Sequence, residues 1–295
     1  MKSGFVSLVG RPNVGKSTLL NSIIGKKIAI TSNKPQTTRN IIEGIYNEED
    51  TQIVFVDTPG IHKPQHKLGK YLNRQAYYSI SDVDVIIFLV DVSENIGKGD
   101  MYVIEKLKEV KTPVILVLNK IDKIKKENIL IKIDEYKDLY PFKEIIPLSA
   151  LKKNNIKTLV ECLKKYLPDN VKYFEDDTYT NKRIEFVIAE IIREKVFNLT
   201  EDEVPHSVTC IVEQIKKSKD NYEINASIIV DRDSLKKIII GKQGSKIKEI
   251  GIQSRKEIEE LLGKKIYLDL FVKTIKKWRD KEKYLQELGF NEIDV

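Results

Sequence analysis

The sequence has 295 residues, of which 41% are hydrophobic and 32% are charged, and its formal net charge is +7. This length and composition favour two folded domains and exclude an intrinsically disordered chain. No apolar run approaches the roughly 18–20 residues that span a bilayer, and no signal peptide is expected because a strand-like run begins at Phe5. The two cysteines are far apart in the sequence, which favours buried thiols over a disulfide or a zinc site.

Strands and helices are predicted to alternate through residues 1–168. Short β-branched apolar runs are followed by longer segments of helical spacing, which is typical of an α/β domain with a mostly parallel sheet. The polar, acidic residues 169–180 are predicted to form a linker, and residues 181–295 a second domain. The strand-like runs are 5–9, 53–56, 85–90, 114–118 and 145–148.

The second domain is predicted to be a smaller α+β domain. A helix near 183–196 precedes two strand-like runs, 207–215 and 222–230. A short apolar segment, the tetrapeptide GKQG at 241–244, a helix and a final strand at 266–272 follow.

The positive charge is concentrated in this second domain. Between Arg232 and Lys283 the chain carries 16 basic residues against 8 acidic ones. A basic region confined to one domain predicts an anionic partner for that domain. The basic residues 276, 277 and 279 could contact RNA phosphates or an anionic membrane surface, and the sequence leaves both open.

A phosphate-binding loop is predicted directly after the first strand. Residues 10–17 (GRPNVGKS) fit the pattern G-x-x-x-x-G-K-[ST], which brings backbone N–H groups to a helix N-terminus. Lys16 is predicted to contact the β and γ phosphates of a nucleoside triphosphate, and Ser17 to ligate magnesium. The predicted nucleotide-binding residues here are Gly10, Arg11, Pro12, Asn13, Val14, Gly15, Lys16, Ser17 and Thr18.

A second phosphate-side motif follows the strand that ends near residue 56. Asp57 can hold magnesium directly or through water, and the backbone N–H of Gly60 can contact the γ phosphate. The segment 37–39 is predicted to be the first switch. A threonine hydroxyl there can complete the coordination shell of the metal when the γ phosphate is present, and Thr38 is favoured over Thr37. The predicted nucleotide-binding residues of this motif are Asp57, Thr58, Pro59 and Gly60; the predicted catalytic ones are Lys16, Thr38 and Gly60.

The base is predicted to be guanine. Residues 119–122 (NKID) fit N-K-x-D, in which the carboxylate of Asp122 accepts hydrogen bonds from guanine N1–H and its amino group. Adenine does not offer that pattern, so GTP is favoured over ATP. The residues predicted to contact the base region are Asn119, Lys120, Asp122, Ser149, Ala150 and Leu151.

Hydrolysis is predicted to be slow without a partner. Many GTPases place a water-orienting glutamine directly after D-x-x-G. This chain has Ile61 there, so water must be positioned by other groups.

An RNA-binding loop is predicted in the second domain. Gly241 and Gly244 lie between two helices in the pattern GxxG, which lets a nucleic-acid backbone approach closely in KH domains. An ordinary basic helix–helix turn is the structural alternative. The predicted RNA-binding residues are Lys236, Lys237, Gly241, Lys242, Gln243, Gly244, Lys246 and Lys248.

Taken together, these motifs resemble the bacterial Era family of ribosome-associated GTPases over nearly the whole chain. The resemblance rests on GRPNVGKST at 10–18, PQTTR at 35–39, DTPG at 57–60, NKID at 119–122, SAL at 149–151 and DRDSLKKIIIGKQGSKIKEIG at 231–251. It implies a P-loop GTPase domain followed by a type II KH domain.

The resemblance also implies a ligand set and partners. Expected cofactors are GTP or GDP and Mg²⁺, with K⁺ assisting hydrolysis through Asn13. Expected partners are the 3′ end of small-subunit ribosomal RNA and the small ribosomal subunit, for a cytoplasmic monomer. An RNA-binding assembly chaperone, in which GTP is mainly a structural ligand, is the alternative function.

Overall fold

The computed structural model describes residues 1–32, 38–59, 66–218 and 221–290, without the side chains of residues 76–81. The chain forms two compact units, one built chiefly from residues 1–181 and the other from residues 182–295. Within the described residues, no helix combines the length and apolar character needed to cross a bilayer.

The first unit is an α/β fold. Its elements, in chain order, are β1 (Lys2–Val9), α1 (Lys16–Ile24), β2 (Ile42–Glu48), β3 (Thr51–Asp57), α2 (Lys67–Ser81), β4 (Val85–Asp91), α3 (Lys98–Leu107), β5 (Val114–Asn119), α4 (Lys126–Lys137), β6 (Glu144–Pro147) and α5 (Ile156–Lys164).

The sheet of the first unit has the order β2-β3-β1-β4-β5-β6, and β2 alone runs antiparallel to its neighbour in this described sheet. The predicted mostly parallel sheet is therefore confirmed. Every residue of β3, β4 and β5 is buried, as expected for parallel strands covered on both faces. Because β1 lies between β3 and β4, the chain leaves β1 where the strand order reverses, which is where α/β sheets bind ligands.

The segment predicted as a linker lies along the first unit. Tyr179 accepts a backbone hydrogen bond from Ile45 of the edge strand β2, at 3.0 Å. The Gln52 side chain donates to the carbonyl of Phe174 (2.8 Å) and accepts from the N–H of Tyr173 (2.7 Å). These contacts attach the segment to the sheet edge, and the domain boundaries at 168 and 181 stay a prediction.

The second unit is an α+β fold. Its elements are α6 (Ile184–Leu199), α7 (Val204–Ser207), β7 (Val208–Lys217), β8 (Asn221–Val230), α8 (Asp233–Ile240), α9 (Ser245–Leu262), β9 (Lys265–Thr274) and α10 (Glu282–Glu287).

The sheet of the second unit has the order β7-β8-β9. Strands β7 and β8 are antiparallel, whereas β8 and β9 are parallel. A parallel pair needs a long crossover, which α8, the 241–244 loop and α9 supply. This order of elements confirms the predicted KH fold. Its core includes Ile192 of α6, Ile228 of β8 and Ile250 and Ile258 of α9, each fully buried.

Candidate nucleotide site and nucleic-acid interface

The phosphate loop, residues 10–17, connects β1 to α1. Gly15 has φ +103°, a conformation that disfavours any residue with a Cβ atom. A Cβ there would lie 2.3 Å from Nδ2 of Asn119. The loop therefore needs glycine both for its backbone angle and for the close approach of the end of β5.

Lys16 is held inside the phosphate loop before any phosphate binds. Its Nζ donates to the carbonyl oxygens of Gly10 (3.0 Å) and Arg11 (3.2 Å), and the residue is 6% exposed. Burial lowers the pKa of Lys16 to about 8, although the charge of Asp57 opposes that shift. A poorly hydrated ammonium in this position is a strong partner for phosphate oxygens.

Three oxygen-bearing side chains meet beside Lys16. The Ser17 hydroxyl lies 2.8 Å from Oγ1 of Thr38 and donates to Oδ2 of Asp57 at 2.8 Å. Thr38 also donates to that carboxylate oxygen, at 3.2 Å. The other carboxylate oxygen, Oδ1, is buried and accepts no hydrogen bond from a described residue.

This cluster fits a magnesium ion. Two hydroxyls and a carboxylate are the hard oxygen ligands that Mg²⁺ prefers. Burial raises the pKa of Asp57, while Lys16 and the two hydroxyls partly oppose that shift. A bound cation would favour the charged carboxylate and occupy the unsatisfied Oδ1.

The neighbouring motif residues face elsewhere. Thr58 is buried and donates its hydroxyl to the carbonyl of Leu8 (2.9 Å), which fastens the end of β3 to β1. The Arg11 side chain forms ion pairs with Glu94 (2.8 Å) and Asp100 (3.1 Å). Their predicted nucleotide contacts would therefore come from the backbone.

The remaining predicted residues differ in exposure. Pro12 and Thr18 are partly buried, Val14 is buried, and the Leu151 side chain is 69% exposed. Gly60, Thr37 and Ile61 lie outside the described residues, so the predictions made for them stay predictions.

At the guanine end, Asn119 joins three segments of the first unit. Its Nδ2 donates to the carbonyl of Val14 (2.7 Å), and its Oδ1 accepts from the N–H of Ala150 (3.0 Å). Ser149 donates its hydroxyl to Oδ1 of Asp122. The structure therefore brings together the predicted residues 119, 122, 149 and 150, and the Ser149 contact orients the carboxylate predicted to recognise guanine.

The predicted KH loop, residues 241–244, lies between α8 and α9. Gly241 (φ +72°, ψ 176°) and Gly244 (φ +75°) both have backbone angles that glycine adopts most easily. A Cβ on Gly241 would lie 2.8 Å from the Cβ of Lys246. Both tip residues, Lys242 and Gln243, are exposed.

The lysines around the KH loop are available to an anionic ligand. Lys237, Lys242 and Lys248 are exposed, and Lys236 and Lys246 are partly buried. None of the five is within ion-pair distance of an acidic side chain in the described part of the chain. In contrast, Arg279 pairs with Asp231 at 2.5 Å, which makes it less available for RNA or lipid phosphates.

Comparison with known proteins finds a match for each of the two units. Residues 5–120 match the family model of 50S ribosome-binding GTPases, and residues 203–279 match the family model of KH domains. One match is the crystal structure of a variant of Aquifex aeolicus Era bound to GDP·AlF4⁻. Its sequence is 42% identical to this chain, and the two structures superpose with a TM-score of 0.95. The match covers 98% of this chain and 99% of that one.

The chain belongs to the Era family. A structure of Era in complex with MgGDPNP and nucleotides 1506–1542 of 16S ribosomal RNA matches equally well, at 42% identity and a TM-score of 0.95. It too covers 98% of this chain and 99% of its own. The family resemblance predicted from the motifs is thus confirmed.

Sequence patterns missed one group of residues in this Era-family site. Asp91 of β4 forms an ion pair with Lys120 at 2.5 Å, and Asp100 of α3 pairs with Arg11. Neither acid belongs to the GRPNVGKS, DTPG or NKID motif. One available signal was that Asp91 ends a buried strand, as Asp57 and Asn119 do.

Proposed function

We propose that this Era-family protein is a GTP-hydrolysing switch whose KH domain binds 16S ribosomal RNA near its 3′ end and which assists maturation of the small ribosomal subunit. The observation that carries the proposal is the buried cluster of Ser17, Thr38 and Asp57 beside Lys16. It makes the position of a switch residue, Thr38, depend on what the phosphate loop binds. The Era complexes with GDP·AlF4⁻, MgGDPNP and 16S rRNA support a guanine nucleotide and 16S rRNA as the ligands.

In the proposed mechanism, the phosphate loop stabilises the negative charge that shifts between phosphate oxygens during hydrolysis. Backbone N–H groups at the start of α1 donate to these oxygens, and Lys16 supplies a buried cation. Ser17, Thr38 and Asp57 would hold Mg²⁺, which supplies further neutralisation of the β and γ phosphates. Gly60 is proposed to contact the γ phosphate through its N–H.

Selection of guanine is proposed to depend on Asp122. Its carboxylate would accept the two hydrogen bonds that guanine N1–H and the amino group donate, and a backbone N–H of segment 149–151 would donate to the guanine carbonyl. Asn119 fixes this segment relative to the phosphate loop, because it accepts from the Ala150 N–H and donates to the Val14 carbonyl. Adenine would not donate these hydrogen bonds to Asp122, at a cost of about 1–3 kcal/mol each.

Turnover is proposed to be slow in the isolated protein. Ile61 carries no group that can orient water, so acceleration would come from a partner or from K⁺ near Asn13. Equal hydrolysis rates in sodium and potassium salts would contradict the role of K⁺.

The RNA site is proposed to combine backbone contact at the KH loop with charge from its lysines. The glycines permit close approach of the RNA backbone, and the lysines neutralise phosphates without selecting bases. Ribosomal RNA as ligand implies a cytoplasmic location. Peripheral membrane contact through Lys276 and Lys277 stays a prediction.

The deciding experiment measures binding of a 16S 3′-end oligonucleotide at fixed salt in the presence of GTP, a non-hydrolysable analogue or GDP. We expect tighter binding in the triphosphate states. Equal affinity in all three would instead support an RNA-binding assembly chaperone with a structural nucleotide. Absence of RNA binding would overturn the ribosomal assignment.

A further inference from the structure

Asp91 is the last residue of β4 and is nearly fully buried, although no nucleotide-binding motif contains it. In the sheet register it lies directly beside Asn119, the last residue of β5. Strand pairing therefore places Asp91 at the edge of the predicted guanine site, next to Asn119. Its position is fixed by the fold rather than by a loop.

Both carboxylate oxygens of Asp91 have specific donors. Oδ2 accepts from Nζ of Lys120 at 2.5 Å. Oδ1 accepts from the N–H (3.0 Å) and the hydroxyl (2.6 Å) of Ser93. Burial would raise the pKa of Asp91, but the hydrogen bonds from Lys120 and Ser93 outweigh burial and hold its pKa below the usual range. The carboxylate is consequently charged at neutral pH.

Lys120 connects this carboxylate to the phosphate loop. The same Nζ donates to the carbonyl of Asn13 at 2.8 Å. Asn13 (φ +66°) and Lys120 (φ +68°) both adopt left-handed backbone angles that non-glycine residues rarely hold without support. The contact therefore joins two turns with left-handed residues, one in the phosphate loop and one in the NKID motif.

We propose that Asp91 is a positioning residue for nucleotide binding, which acts by holding the Lys120 ammonium against the Asn13 carbonyl. A lysine side chain has a flexible four-carbon stem and loses much entropy when it is held in one geometry. A fixed carboxylate supplies that restraint before nucleotide arrives. Both oxygens of Asp91 are already engaged by protein donors, so its removal should mainly speed nucleotide release rather than slow the cleavage step.

This inference rests on the proposed GTP binding and deepens it. The test uses the full-length protein loaded with a fluorescent GDP analogue and measures release after excess GDP is added. For Asp91→Asn we expect release about tenfold faster than for the wild type, since asparagine lacks the negative charge and retains only one of the two acceptor oxygens. The Lys120→Met exchange should produce a similar increase. The double variant should lie within about twofold of Lys120→Met, because the two residues act through one contact.

A matched control distinguishes the loss of this contact from the loss of a negative charge elsewhere on the protein. Asp134→Asn removes another aspartate ion pair, with Lys137 on the exposed surface of α4, and should leave release unchanged. Ser93→Ala removes one donor to Asp91 at an exposed position and should give a smaller increase than Asp91→Asn. Ser93→Ala also serves as the test if Asp91→Asn does not fold.

Single-turnover hydrolysis of bound GTP provides a second readout. We expect its rate to change by a smaller factor than GDP release in Asp91→Asn, because Asp91 is not among the predicted catalytic residues. Release of GDP by Asp91→Asn at the wild-type rate would overturn the inference. A double variant whose effect equals the product of the two single effects would overturn it as well. Failure of the wild type to bind GDP would instead contradict the proposed function.

Discussion

The phosphate loop and the KH loop are both glycine-rich connections that precede a helix, and we propose that both bind phosphate groups. They are built in opposite ways. In the phosphate loop, Lys16 and Ser17 are only 6% and 9% exposed, and each is hydrogen-bonded before a ligand binds. In the KH loop, Lys242 and Gln243 are exposed at the tip.

The difference follows from the ligands that each loop would meet. A nucleotide presents a few phosphates in a fixed arrangement, so buried and pre-oriented groups can match it and lose little entropy on binding. An RNA strand presents a long row of phosphates, which exposed cations can follow without a unique geometry. We therefore expect large effects from single changes in the phosphate loop and small, salt-dependent effects in the KH loop.

The largest effect is expected for Gly15→Ala. The added Cβ would lie 2.3 Å from Nδ2 of Asn119, and the backbone at φ +103° disfavours alanine. Strain of about 1–3 kcal/mol together with displaced Asn119 hydrogen bonds should weaken GDP binding by about 100-fold or more. Calorimetric titration with GDP measures this change.

Gly25→Ala is the control for the backbone penalty alone. Gly25 also has a positive φ, +74°, but nothing lies within 4 Å of its added Cβ. We expect lower thermal stability with little change in GDP affinity. Similar losses of GDP affinity in both variants would show that strain, and not the approach to Asn119, explains the result.

A smaller effect is expected for Gly241→Ala in the KH loop. Its Cβ would lie 2.8 Å from Cβ and 2.9 Å from the backbone nitrogen of Lys246, so the loop must open. We expect binding of the 16S oligonucleotide to weaken about tenfold, in line with strain of about 1–3 kcal/mol. GDP affinity should not change.

Gly263→Ala tests whether helix α9 as a whole is responsible. Gly263 ends that helix at φ +64°, and its added Cβ would meet nothing within 4 Å. RNA binding close to that of the wild type is the expected result. An equal loss in both variants would shift the explanation from the loop to the stability of the second unit.

The motif residues could be predicted from the sequence because each motif is local and chemically specific. The run Val85–Val90 likewise indicated a buried strand correctly. The position of Asp91 at a strand end was too weak a signal to assign it to the site, because its contact with Lys120 exists only once β4 pairs with β5. An acidic residue after an apolar run is common, and the partner is 29 residues away.

The segment 169–180 shows a second limit of sequence analysis. Its polar, acidic composition predicts a linker, which stays a prediction, but does not indicate that its backbone contacts the edge strand β2 and the Gln52 side chain of β3. Every residue type can accept a backbone hydrogen bond, and every type except proline can donate one. Amino-acid composition therefore does not reveal which backbone groups are paired. The order of the KH elements, by contrast, could be predicted because apolar, β-branched runs bounded by turn residues mark the strands.

The salt dependence of binding should separate the two loops further. Lys242→Ala and Lys248→Ala are each expected to weaken RNA binding about threefold, and each should lower the slope of log affinity against log salt by about 0.7 to 1. GDP affinity should vary much less with salt, because Lys16 is buried. Titrations at several salt concentrations provide the measurement, and an unchanged RNA slope in both lysine variants would contradict the proposed phosphate contacts.

The smallest effect expected concerns the proton on Lys16. Burial lowers its pKa to about 8, so near pH 8 about half of the molecules carry an uncharged Lys16. Phosphate favours the ammonium form, so GDP binding should take up about half a proton at pH 8 and close to none at pH 7. The lowered pKa of Lys16 also makes the free energy of unfolding depend on pH. Between about pH 8 and 10.5 the unfolded state binds more protons at Lys16 than the folded state does, so the free energy of unfolding rises with pH.

Calorimetry of GDP binding in two buffers with different ionisation enthalpies measures that uptake. Lys16→Arg is the control, because a guanidinium stays protonated at pH 8 and should show no uptake. Proton uptake of equal size in wild type and Lys16→Arg would mean that another group titrates. Absence of uptake in the wild type would mean that Lys16 is better hydrated than its burial implies, and the phosphate loop would then be closer in character to the KH loop.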